Sequence, residues 1–166
     1  MPIADLLLPE FDIEMAVTRR VLERVPSDRG EWKPHPKSFA MGHLAQLVAR
    51  MPGWATGIMT LPELDIAPED GPTQGYTFEA TETLLAEFDR GAAEARAAIA
   101  AASDEDFQVQ WTLKAGGHAV DAKPRYLMLR TNMLNHLVHH RAQLGVYLRL
   151  VEVPVPSMYG PTADER

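Results

Sequence analysis

The sequence predicts an all-α fold: a four-helix bundle with a short β-hairpin before its last helix. Three observations carry this. Ala, Leu, Glu and Arg recur in long runs, which favours helix. Apolar residues recur at spacings of three and four in separate segments, the mark of helices with one buried stripe. One segment breaks that rhythm with period-two alternation that runs into a glycine pair.

The first helix shows its stripe in Leu7, Phe11, Met15, Thr18, Leu22 and Val25. Pro9 is tolerated only near a first turn, and Pro26-Ser27-Asp28 ends the helix. Glu31 to Pro36 carries Pro34 and Pro36, so it reads as a loop. Ser38 is the expected N-cap of the second helix. Its buried side is Met41, Leu44, Leu47, Val48 and Met51, and Pro52-Gly53 is expected to kink or shorten it.

Leu61 to Gly75 is rich in Pro, Gly and Asp and reads as a long loop. A third helix is expected from Thr77, with Phe78, Leu85, Phe88, Ala92, Ala95 and Ile99 on a seven-residue repeat. Its alanine-rich end predicts close approach to a neighbour. Phe107, Val109, Trp111 and Leu113 then alternate with polar residues before Gly116-Gly117, which predicts the hairpin. Pro124 suits the first turn of a fourth helix reaching about Leu150. The tail from Pro154 to Pro161 is expected to be extended. No repeat or second composition appears, so residues 1–166 read as a single domain.

Composition narrows the function. The 166 residues include no cysteine, so there is no disulfide and no thiolate nucleophile, and a metal site must use His, Asp or Glu. A formal net charge of −7 disfavours nucleic acid and anionic membrane as partners. The first residues have no basic stretch before an apolar run, so no signal peptide is expected. No apolar stretch is long enough to span a bilayer. The expected location is the cytoplasm.

Six histidines are present, three of them in Asn135-His136-Leu137-Val138-His139-His140-Arg141. On a helix His136 and His140 point the same way, one turn apart. Their stripe also holds Leu129, Met133, Leu144 and Tyr147, so the pair faces the bundle interior. A metal ion would satisfy one nitrogen of each buried ring. His43, the one histidine of the second helix, is the natural third ligand. The alternative is that these are ordinary core histidines. His35 and His118 read as solvated loop residues, and His139 as a residue behind or outside the pair. Leu137 stands where the zinc-protease helix motif needs Glu, and Met133 where the di-iron bundle motif needs it.

These residues resemble the DinB/YfiT-like family of damage-inducible, metal-dependent proteins. The matching pieces are Trp32-Lys33-Pro34, Gly42-His43-Leu44, the run from Asn135 to Leu144, and the tail from Val153 to Glu165. The resemblance spans nearly the whole chain. It implies a four-helix bundle, a homodimer, and one divalent ion, zinc or nickel, on His43, His136 and His140. It further implies a small-molecule substrate. Some members are thiol-dependent transferases or isomerases that use a low-molecular-weight thiol as cosubstrate.

Three neutral imidazoles leave an ion with an open position, the mark of a catalytic site. Hydrolysis and thiol transfer are the two reaction types such a site suits. Neither comes with an identifiable general base. For Tyr159 and Arg141, helix packing, tail docking or a surface ion pair is the simpler role. Two further readings stand beside the enzyme: a non-catalytic metal-binding or stress-response interaction module, and a bundle that binds no metal and works through its dimer surface.

Overall fold

A computed structural model describes residues 1–69, 71 and 75–165. Asp70 and residues 72–74, part of the expected long loop, lie outside the described residues. The fold is mostly helical with a small three-stranded sheet.

Helix α1 spans Ile3–Leu22 and buries Leu7, Phe11, Met15, Thr18 and Leu22. Pro9 sits well inside it rather than in the first turn. Its ring lies on the exposed face, where water can satisfy the backbone carbonyl that a proline leaves unpaired. Helix α2 spans Met41–Thr60 and is not shortened at Pro52. Ser38 is not its cap. The backbone N–H groups of Met41 and Gly42 donate instead to the carbonyls of Trp32 and Gly30, both at 2.9 Å. The preceding loop thereby does the work of a capping side chain.

The segment after α2 holds a strand the sequence did not announce, β1, Glu63–Asp65. Helix α3 spans Thr81–Ala101 and starts four residues later than expected. Ser27 supplies the reason: its Oγ accepts the Thr81 N–H at 3.1 Å, a cap from a distant segment. Phe78 precedes the helix and packs over Gly30 and Gly42. The expected close approach is present, because a Cβ on Gly91 of α3 would lie 3.4 Å from the backbone nitrogen of Gly53 on α2.

A short helix α4, Asp104–Gln108, opens with a capping box of Ser103 and Asp106. Strands β2, Gln110–Ala115, and β3, His118–Pro124, form the expected antiparallel hairpin. Gly116 and Gly117 have φ of 60° and 77°, the left-handed pair that a two-residue hairpin turn needs. Strand β1 adds to β2 in parallel. The Asp65 carboxylate accepts N–H groups from Ala67, Gly116 and Gly117, tying β1 to the turn. So the chain is not purely helical, and the sheet is larger by one strand than the alternation implied.

The final rod has three parts: α5, Arg125–Met128, a π-helical segment, Leu129–Leu134, and α6, Asn135–Leu150. Pro124 stands just before it. One core unites α1, α2, α3 and this rod, including Phe11, Val21, Met51, Phe88, Leu137 and Leu144. The tail is extended as expected and is tied down by Asp164 and Glu165. Asp164 pairs with Arg149 and accepts the Val155 N–H at 2.8 Å. Glu165 pairs with Arg24 at 2.9 Å. No helix among the described residues is long and apolar enough to cross a membrane.

Candidate metal centre

The π-helical segment delivers α6 to the core with His136 and His140 on its inner side. Segments of this kind are rare and recur at functional sites. The two Nε2 atoms are 2.9 Å apart. His140 is buried and His136 half-buried. The outer nitrogen of His140, Nδ1, meets Gln143 Oε1 at 2.8 Å. Burial lowers the pKa of the His136 ring, and the Asn132 backbone one turn back opposes that shift.

These contacts decide the protonation of His140. The Gln143 amide oxygen only accepts, so His140 donates its Nδ1–H to it. The His140 Nε2 is then left with a lone pair, which faces the Nε2 of His136. Burial holds both imidazoles below their ordinary value of 6.5, so a shared extra proton is disfavoured. A His136 Nε2–H donated to His140 satisfies the pair, and so does one ion shared by the two neutral rings. Two nitrogens ~2.1 Å from one ion would be about 3.0 Å apart at an octahedral right angle and about 3.4 Å apart at a tetrahedral one.

His43 comes from α2 and is a layer in an aromatic stack. Phe39 lies on one side at 4.5 Å and Tyr76 on the other at 4.0 Å. Burial first, and the charge of Lys33 second, lower its pKa. Phe39 also reaches the ring of His140 at 6.3 Å, so it is the shared neighbour of His43 and the pair. The structure thus brings His136 and His140 together and places His43 in the aromatic stack whose Phe39 also neighbours His140. Among the described residues no three His, Asp or Glu side chains are gathered closely enough to hold one ion.

Of the remaining histidines, His35 lies in a loop as expected, whereas His118 opens strand β3. His35 and His118 are exposed. His139 is exposed and touches Gln143 Nε2 at 3.2 Å, so one amide links His139 to His140. Arg141 is not on the surface. It is buried against Glu14 at 2.6 Å, Thr18 at 3.0 Å and the Tyr159 hydroxyl at 2.6 Å. Tail docking is therefore the observed role of Tyr159 and Arg141.

Site residues that sequence reasoning passed over are Gln143, Phe39, Tyr76 and Trp54, whose ring lies 5.6 Å from that of His136. The H-x-x-Q spacing of His140 and Gln143 was a readable signal, since residues three apart on a helix are neighbours. The aromatic stack had none, because its members come from separate loops and a helix.

The model of the DinB family matches residues 4–166. The chain belongs to the DinB family. Two solved structures share its fold. A DinB-like protein from Bacillus cereus has a TM-score of 0.68 at 19% identity, covering 92% of this chain and 95% of that one. A DinB-like protein from Bacillus subtilis has a TM-score of 0.65 at 15% identity, covering 97% and 99%. No curated protein matches the chain.

Proposed function

We propose that this DinB-family chain is a four-helix-bundle protein that binds one divalent ion, zinc or nickel, and acts on a small molecule. His136 and His140 are the anchoring ligands and His43 is the third. The observation that carries this reading is the pair of Nε2 atoms facing at 2.9 Å, with the outer nitrogen of His140 already committed to Gln143. The reaction is transfer to or from a low-molecular-weight thiol cosubstrate, or hydrolysis. When bound, the ion supplies a Lewis acid that favours the deprotonated form of a thiol or water.

The chain's own residues do the rest. Gln143 fixes the tautomer and tilt of the His140 ring. Phe39, Tyr76 and Trp54 place apolar surface around the histidines and limit water. Lowered pKa values keep the rings neutral, the form that ligates.

The test is metal content by plasma mass spectrometry on protein purified without an affinity tag. Wild type is expected to hold about one equivalent, and His136→Ala and His140→Ala none, after reconstitution with zinc or nickel. His43→Ala is expected to bind more weakly. Wild type that takes up neither metal would overturn the reading. A screen of thiols with electrophiles, run on the loaded protein, then separates transfer from hydrolysis.

A further inference from the structure

Beside His140 lies an open cleft of about 330 Å³, lined by Lys37, Ser38, Phe39, His140, Gln143 and Tyr147. Its size is that of a site for a small ligand. Its polar groups divide into two sets. Gln143 is committed to His139 and His140. The Tyr147 hydroxyl donates to the Phe39 carbonyl at 3.3 Å. Lys37 and Ser38 are different: among the described residues neither side chain has a hydrogen-bonding or ionic partner. The groups left over are hydrogen-bond donors, and one carries a full positive charge.

The chain's lysines make the same point. There are four: Lys33, Lys37, Lys114 and Lys123. Lys114 pairs with Glu63 and Lys123 with Asp121. Lys33 and Lys37, both in the loop that leads to the histidines, pair with no carboxylate among the described residues. Lys33 is near enough to His43 for its charge to be felt there. In a chain with net charge −7, an unpaired cation on the cleft and a second near His43 are a local reversal of sign. Such a patch concentrates small anions.

We propose that this cleft binds the carboxylate end of a small anionic molecule. Lys37 and Ser38 are the donors to the carboxylate, Lys33 adds long-range attraction, and the rings of Phe39 and Tyr147 hold the apolar part. The proposal rests on the small-molecule reading above and names the class of molecule: a carboxylic acid with a short apolar stem.

The experiment titrates 3-phenylpropionate and its neutral amide into the full chain, followed by NMR shifts of the aromatic and histidine signals. Metal content is measured on the same samples. Wild type is expected to prefer the carboxylate by roughly tenfold, the worth of a hydrogen bond to a charged group. Lys37→Gln should abolish the preference and Lys37→Arg should keep it, with metal content unchanged in both. Higher salt should weaken the carboxylate alone. Equal binding of acid and amide, or a preference that survives Lys37→Gln, overturns the proposal, even where metal is bound. A preference with no metal bound supports the anion site and removes the metal reading instead.

Discussion

His140 and Arg141 are consecutive on α6, yet their side chains meet opposite conditions. The His140 ring turns to His136 and an open cleft, its Nε2 2.9 Å from that of the other ring. The Arg141 guanidinium turns the other way, into α1 and the tail, and is tied to Glu14, Thr18 and Tyr159. One site is a neutral pair beside an open cleft, while the other is charged and already paired. A helix permits this because successive residues differ by roughly 100° around its axis. The difference separates a place built to receive something from a place built to stay closed.

The largest expected effect breaks the closed site. Side-chain exposure is 1% for Arg141 and 10% for Glu14, so removing one partner strands a buried charge. Arg141→Met should cost about 3–5 kcal/mol in urea unfolding, and Arg141→Met with Glu14→Leu should recover much of it. A loss under about 1 kcal/mol would mean that the pair does not hold α1 to α6.

The open site should respond to metal rather than to truncation. With zinc at a hundred times its dissociation constant, wild type should gain about 2.7 kcal/mol of stability. Thermal unfolding of His136→Ala should show no such gain. A shift of equal size in both proteins would place the ion elsewhere.

Gln143→Ala sharpens the contrast, since it leaves both ligands and removes what orients one. Metal affinity, measured by competition with a chelator, should fall about 10- to 100-fold. Unchanged affinity would show that helix geometry alone aims the ring.

The Tyr159→Phe change trims one hydroxyl from the closed network and should cost about 0.5–1.5 kcal/mol, read as a shift in the urea midpoint.

The pH response of the metal-free protein should be the smallest effect. His136 and His140 have folded pKa values below 6.5 because of burial, so the unfolded chain takes up protons first. Their contribution to stability is therefore full above 6.5 and declines as pH falls below it. Replacing both by Gln should flatten that decline. An unchanged profile would assign it to other groups.

The elements differ in how far they could be read. The stripes of α1 and α2, the hairpin and the extended tail follow from spacing and turn chemistry, which are local. The start of α3 was misplaced because its cap, Ser27, is more than fifty residues away. The start of α2 was misplaced because backbone carbonyls of a loop replaced a side-chain cap. Strand β1 went unread because three residues carry no period, and only pairing with β2 makes them a strand.

The histidines divide in the same way. Helical periodicity alone puts His136 and His140 side by side, since the distance between them is set by one turn of one helix. How His43 meets them depends on how α2 packs on α6, and there the fold inserts Phe39 and Tyr76 around the ring. The burial of Arg141 likewise depends on a tail that returns to α1, a contact 18 residues away along the chain. Sequence determines what lies on one face of one element, because backbone geometry is repetitive. Tertiary structure decides which faces meet, because packing selects among many arrangements that the same stripes would permit.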